Sequence, residues 1–265
     1  MVNLSNLLFV FVAGFVTALA TGVGAVPFFF VEELSARLNV GLWGFASGIM
    51  ISASFLGLIT EGLANGTVTE VGIGAFAGVI LVILAHEIIE SAEVSPRQYA
   101  AADFRKLLLI LGILTVHSFP EGVAVGVAFA DLGLEGGITL FGTAVPLLAI
   151  FMTVAISIHN VPEGVAVSIP LRSLGVRNSR LVWWSVFSSL PQPIGAVIAF
   201  AFVRIAREIL PYGFGFAAGA MVYLVLSEFI PEALETGAEL ENGGYRELLT
   251  GLVAGTLVMV PLMFV

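Results

Sequence analysis

Two short stretches of this chain combine the residue types that bind divalent metals. The pattern His-x-x-Pro-Glu-Gly occurs twice, once with His117 and Glu121 and once with His159 and Glu163. In each copy the histidine and the glutamate are four residues apart, so both side chains lie on one face of a helix. Imidazole nitrogen and carboxylate oxygen are standard zinc ligands, and imidazole also suits iron. The chain has only 3 histidines, and two of them belong to this pattern.

The proline and the glycine of each copy indicate more than a structural contact. Pro120 and Pro162 lack the backbone N–H, so each frees the carbonyl one turn earlier and bends its helix. Gly122 and Gly164 permit another backbone to approach closely. A hydrogen-bonded His–Glu pair that only joins two helices is the alternative. Such a pair needs neither the proline, the glycine nor the second copy.

The composition indicates where these polar residues must lie. The 265 residues are 58% hydrophobic and 11% charged, with a mean hydropathy of +1.07. Continuous apolar runs of roughly 20 residues recur, long enough to cross a bilayer, where only helices or closed barrels satisfy the backbone. Because the runs do not alternate, we predict an all-α membrane protein. An ionisable residue inside such a helix costs about 3 kcal/mol and therefore indicates a functional site.

Other features of the composition exclude whole classes of chemistry. Cysteine is absent, which excludes disulfides, thiolate metal ligands and thiol catalysis. The net charge of −9 argues against a nucleic-acid partner. The first apolar run has neither a basic start nor a small-residue cleavage site, so we interpret it as a mature span rather than a signal peptide.

We predict eight transmembrane helices in a single membrane domain that covers residues 1–265. Their limits are 4–30, 41–63, 71–92, 104–130, 142–170, 180–203, 212–234 and 246–265. Most basic residues fall on one side of this arrangement, namely Arg37, Arg97, Arg105, Lys106, Arg172, Arg177, Arg180 and Arg246. The positive-inside rule assigns that side to the cytoplasm, so we expect a plasma-membrane protein with both termini extracellular.

The two copies of the pattern fall on the fourth and fifth predicted spans, which run in opposite directions. Matched sequence on antiparallel spans is typical of an inverted-topology repeat, and such repeats place their site near the membrane midplane. We therefore expect a polar site in the middle of the helix bundle, embedded in the lipid bilayer.

In these repeated stretches the chain resembles the ZIP (Zrt-/Irt-like) family of divalent-metal transporters, especially its prokaryotic branch. Beyond the two His-x-x-Pro-Glu-Gly copies, the resemblance includes the segments 21–27, 44–50, 193–196 and 218–223 and covers nearly the whole chain. It implies eight spans, outside termini and a metal path between spans 4, 5 and 6.

The resemblance also implies a set of metal ligands. Its principal metal position would use His117, Glu121, His159, Glu163 and the residue before Pro193, which is Glu in many relatives and Gln192 here. A second position in relatives draws on the residues after the two histidines, which are Ser118 and Asn160 here. Ser118, Asn160 and Gln192 are all neutral, so we expect one tightly held metal and a weak second one.

Four further polar residues lie near the expected cytoplasmic face. His86, Glu87 and Glu90 end the third predicted span, and Glu228 lies near the end of the seventh. They could form an exit relay or a stop for the metal. A plain cluster of solvated side chains at helix ends is an equal alternative.

The function that these observations favour is transport of a divalent ion, Zn²⁺ first, into the cytoplasm. Fe²⁺, Mn²⁺ and Cd²⁺ are alternatives, whereas Mg²⁺ is disfavoured because it prefers oxygen ligands and retains its waters. Acid should compete with the ion for the ligands. We predict that the protein is not an enzyme. A membrane-embedded zinc hydrolase and a proton-coupled carrier of organic solutes are the other hypotheses, and a homodimer is left open.

Overall fold

The computed structural model of the protein describes residues 3–31, 34–91, 117–134, 137–173 and 175–262. Most of these residues are helical, because the apolar runs satisfy their backbone groups within the helix. The helices are α1 (Leu4–Val23), α2 (Ala36–Ser52), α3 (Thr60–Asn65), α4 (Val68–Ser91), α5 (117–128), α6 (Leu147–Ser173), α7 (Asn178–Ser188), α8 (Pro191–Ile205), α9 (Leu210–Leu224), α10 (Ile230–Thr236) and α11 (Tyr245–Leu262).

Several short segments connect these helices. Two π-helical segments join α2 to α3 and α9 to α10, and they comprise Ala53–Ile59 and Val225–Phe229. Three 3-10 turns comprise Val26–Phe29, Arg207–Ile209 and Glu241–Gly244. π-Helical segments occur frequently at functional sites, so Val225–Phe229 indicates that the residues around Phe229 belong to one.

Six helical stretches among the described residues are long and apolar enough to cross a membrane. They are Leu4–Phe29, Ala36–Asn65, Val68–Ile88, Leu147–Arg172, Asn178–Ile205 and Arg207–Thr236. They correspond to predicted spans 1, 2, 3, 5, 6 and 7 and confirm a helical membrane protein. The predicted fourth span lies partly outside the described residues, and α11 coincides with the eighth without being among the six. The total of eight therefore stays a prediction.

A small β-hairpin precedes α6, and the sequence analysis did not predict it. Strands β1 (Ile138–Leu140) and β2 (Thr143–Val145) pair antiparallel, with Leu140 opposite Thr143. The two loop residues, Phe141 and Gly142, have φ of 50° and 78°, as a two-residue type I′ turn requires. The predicted start of the fifth span at 142 was therefore wrong. The segment Thr143–Val145 that follows this turn forms a strand, and the helix begins only at Leu147.

Glycines bring pairs of helices into backbone contact. A Cβ added at Gly74 of α4 would lie 2.2 Å from the carbonyl oxygen of Tyr212 in α9, and one at Gly215 of α9 would lie 2.1 Å from a carbonyl of α4. The pair α2 and α11 repeats this arrangement at Gly48 and Gly255, with corresponding distances of 2.2 and 2.1 Å. Small residues allow membrane helices to pack this closely. Gly72 is an exception, because a Cβ there meets nothing within 4 Å.

The glycines of the repeated pattern position the candidate site. A Cβ at Gly164 of α6 would lie 1.8 Å from the carbonyl oxygen of Thr21 in α1. A Cβ at Gly122 of α5 would lie 2.2 Å from the carbonyl oxygen of Gln192 in α8. The expected close approach at both glycines is confirmed. Helices α1, α5, α6 and α8 thus meet at the level where the predicted ligands lie.

Candidate metal centre

Three of the predicted ligands form a compact, buried group. Glu121 on α5 and His159 and Glu163 on α6 each offer one ligand atom, and these atoms all lie within 4.8 Å of one another. All three residues have 0% of their surface exposed. His159 Nε2 lies 3.2 Å from Glu121 Oε1. We call Glu121, His159 and Glu163 the buried group.

The hydrogen bonds of the buried group are incomplete. Neither carboxylate oxygen of Glu163 has a hydrogen-bond partner among the described residues, and the same holds for His159 Nδ1. Burying a charged group without a partner is expensive, and folded proteins normally pair such groups or let them coordinate a metal. The chemistry of this donor set, one imidazole and two carboxylates, fits a dication such as zinc.

Neutral side chains flank the buried group on the α1 and α8 side. Gln192 Nε2 donates to Glu121 Oε2, while Gln192 Oε1 accepts from the hydroxyl of Thr17 at 2.7 Å and from Asn160 Nδ2 at 3.0 Å. Ser118 is fully buried as well. The structure therefore brings Gln192 and Asn160 next to the buried group. Sequence reasoning missed Thr17, because this residue lies in an apolar helix and belongs to no recognisable motif.

His117 lies in a second group of ligand types. His117, His86 of α4 and Glu228 of the π-helical segment each offer an atom within 4.8 Å of the others. The Nε2 atoms of the two histidines are 3.4 Å apart, and His86 Nε2 lies 3.3 Å from Glu228 Oε1. We call these three residues the inner group. Glu87 is exposed, and the side chain of Glu90 lies outside the described part of the chain.

The two groups differ in how far the protein covers them. The side chains of His86 and Glu228 are 15% and 31% exposed, whereas the residues of the buried group are fully covered. Phe229 lies between the two groups. Its ring stacks on His159 with centroids 5.5 Å apart, and its centroid is 6.2 Å from that of His117. The aromatic ring thus separates a fully covered group from one that is partly exposed.

These features define a class of protein. Several apolar helices long enough to cross a membrane enclose buried imidazole and carboxylate ligands, and a second, less covered group of ligand types lies beside them. Intramembrane ionisable residues that face the interior of a bundle mark substrate and ion pathways. The molecule is therefore a multi-pass membrane protein with an internal line of metal-ligand side chains.

Comparison with known proteins identifies the family. Residues 86–263 match the model of the family described as ZIP Zinc transporter. A putative zinc transporter of Arabidopsis thaliana is 42% identical over 82% of this chain, which spans only 33% of that protein. The zinc transporter ZupT of Corynebacterium aurimucosum is 31% identical over 97% of both chains. The zinc transporter GufA of Myxococcus xanthus is 28% identical over 95% of this chain and 96% of its own.

The chain belongs to the ZIP family, as its two repeated stretches and the other quoted segments indicated.

Proposed function

We propose that this protein carries Zn²⁺ across the plasma membrane into the cytoplasm and holds the ion in transit at the buried group. The observation that carries the proposal is the set of Glu121, His159 and Glu163, whose ligand atoms lie within 4.8 Å of one another in a fully covered site. The two carboxylates balance the charge of a dication, and the imidazole favours zinc over hard ions. The printed names of the ZupT and GufA relatives support the same ion.

The inner group serves as the next position along the path. His117 lies one helical turn from Glu121 on the same helix, so an ion that leaves the buried group meets His117, His86 and Glu228. In the proposed topology the exposed parts of His86 and Glu228 face the cytoplasm, where the ion regains water. Conduction requires sites weak enough for the ion to leave, and a partly solvated group satisfies that requirement.

The neutral residues limit the protein to one tightly held ion. Ser118, Asn160 and Gln192 add no charge of their own, and a second dication in a covered site would need compensating anions. A second ion would therefore depend on the carboxylates already used by the first. Fe²⁺, Mn²⁺ and Cd²⁺ remain candidate ions for the same ligands.

The proposed topology completes the path. We expect α5 to continue the fourth of eight spans and α11 to form the eighth, with both termini extracellular and the two repeated stretches on an inverted pair. In this arrangement the inner group faces the cytoplasm, because α4 and the helix after α9 both end on that side. The whole chain is then one membrane domain, and no enzymatic step is needed.

Uptake into proteoliposomes tests the proposal. Purified wild type should accumulate radiolabelled zinc, Glu163→Ala should accumulate little above empty vesicles, and Glu235→Ala, which changes an exposed carboxylate on α10, should match wild type. Full activity of Glu163→Ala would refute the buried group as the site. Zinc-dependent release of fatty acid from the vesicle lipids would instead favour a hydrolase.

A second measurement tests the inner group. We expect His86→Ala to slow uptake while leaving the equilibrium affinity for the first zinc ion unchanged, because the buried group keeps all of its ligands. An equal loss of affinity and uptake would indicate that the two groups bind a single shared ion.

A further inference from the structure

Thr17 contacts both amide side chains that flank the buried group. It lies on α1 and is fully covered. Its hydroxyl is 2.7 Å from Gln192 Oε1, and its carbonyl oxygen accepts from Asn160 Nδ2 at 2.7 Å. No atom of Thr17 belongs to the three ligands of the buried group. Its influence on an ion must therefore act through the two amides.

The orientation of the Gln192 amide follows from its neighbours. The Thr17 hydroxyl has one proton and lies 2.7 Å from two acceptors, the carbonyl oxygen of Gly14 and Gln192 Oε1, so it donates to both in a shared hydrogen bond. Asn160 Nδ2 donates to the same oxygen. If the amide were reversed, its NH₂ group would face the donor Asn160 Nδ2 and its oxygen would face the acceptor Glu121 Oε2. Both lone pairs of Gln192 Oε1 are thus used, and its NH₂ group faces Glu121 Oε2.

The orientation of the Asn160 amide is fixed in the same way. Its Nδ2 donates to the carbonyl of Thr17 and to Gln192 Oε1, which are both acceptors. Its Oδ1 is left buried and without a hydrogen-bond partner among the described residues. That oxygen is the amide atom that remains available to a cation.

We propose that Thr17 is a positioning residue that sets the selectivity of the buried group, an inference that rests on the proposed function. By holding Gln192 against Glu121 Oε2, Thr17 keeps one lone pair of that oxygen in a hydrogen bond and so favours coordination of the ion through Oε1 alone. A carboxylate restricted to one oxygen suits the four-coordinate zinc ion, whereas Mn²⁺ prefers more oxygen ligands. Losing the Thr17 hydroxyl leaves Asn160 as the one described donor to Gln192 Oε1, which loosens the hold of Gln192 on Glu121 Oε2 and so favours binding through both oxygens and Mn²⁺ relative to zinc.

The test is the ratio of the dissociation constants for Mn²⁺ and Zn²⁺, measured by calorimetry on the full-length protein in detergent. Since one hydrogen bond is worth about 1 kcal/mol, we expect Thr17→Val to lower this ratio about fivefold. Thr17→Ser, which keeps the hydroxyl, should restore it. Thr153→Val removes a hydroxyl that, among the described residues, bonds within its own helix to the carbonyl of Ala149, and it should leave the ratio unchanged. A packing defect would weaken both ions together and would not move the ratio.

A double-mutant cycle tests whether Thr17 acts through Gln192. In a Gln192→Leu background, Thr17→Val should cause no further change in the ratio. The inference is overturned if Thr17→Val leaves the wild-type ratio intact, or if it has the same effect in both backgrounds. If Thr17→Val does not fold, the test uses Thr17→Ala, which also removes the hydroxyl and adds no atom. Zinc binding by wild type with no response to Thr17 refutes this inference alone, whereas a wild type that binds no zinc refutes the proposed function too.

Discussion

Glu163 should raise the affinity for the metal but should not stabilise the metal-free protein. The ligand atoms of the buried group lie within 4.8 Å of one another, so an ion at their centre lies at most about 2.8 Å from each. At that distance the attraction between a dication and one carboxylate is on the order of 12 kcal/mol at an effective dielectric constant of ~20. Most of that attraction offsets dehydration of the ion. Removing one partner of a buried charge pair costs about 3 kcal/mol net, which corresponds to roughly 150-fold in affinity.

The substitution Glu163→Gln keeps the shape of the side chain and removes its charge. We expect zinc affinity to fall by about two orders of magnitude, while the metal-free protein melts at the same temperature as wild type or higher. The second effect follows because neither Glu163 oxygen has a hydrogen-bond partner among the described residues and because Glu121 lies close by. His159→Ala keeps both carboxylates, so its affinity loss should be smaller and its main effect should be on selectivity.

Calorimetric titration with zinc and thermal unfolding of the metal-free protein in detergent measure the two quantities. Glu235→Gln makes the same change at an exposed position and should alter neither. Zinc affinity within threefold of wild type would refute the reasoning about charge. A melting temperature several degrees below wild type would instead identify Glu163 as a structural residue.

Three further predictions concern packing, topology and stoichiometry. Gly164→Ala should strongly destabilise the metal-free protein, because its Cβ would lie 1.8 Å from a backbone oxygen of α1. Gly72→Ala should be tolerated, because its Cβ would meet nothing within 4 Å. Thermal unfolding of the two variants compares them. A membrane-impermeant thiol reagent applied to whole cells should label Asn3→Cys and leave Arg177→Cys unlabelled; the reverse result would invert the topology. Gln192→Glu adds a carboxylate and should strengthen a second metal and slow uptake, whereas two equally tight metals in wild type would contradict the dependence on charge.

Local spacing predicted only part of the candidate site. The four-residue interval predicted a shared face, and for His159 and Glu163 it also brings their ligand atoms within 4.8 Å of each other. The same interval leaves His117 grouped with His86 and Glu228. The difference arises from the elements that face each histidine, here the end of α4 and the segment after α9. Such contacts between distant parts of the chain are not encoded in the spacing of one helix.

The fold was predicted to a similar depth. Continuous apolar runs were enough to locate six membrane-capable helices, because hydrophobicity and length alone decide which segments can cross a bilayer. The hairpin before α6 depends on two residues with positive φ, Phe141 and Gly142, and a phenylalanine in that position gives no turn signal. Thr17 was missed for a related reason, since a threonine in an apolar helix usually bonds to its own backbone.

The close packing of the bundle and the unpartnered carboxylate explain each other. A flexible site would let Glu163 turn until it found a donor, and its affinity for an ion would fall by the cost of breaking that bond. Backbone contact between Gly164 and the carbonyl of Thr21 holds α6 against α1, and contact between Gly122 and Gln192 holds α5 against α8. With both helices held in place, Glu163 cannot turn to reach another donor. In the proposed function a dication supplies the partner that Glu163 lacks, and helices held in place by these contacts keep the carboxylate available to the ion.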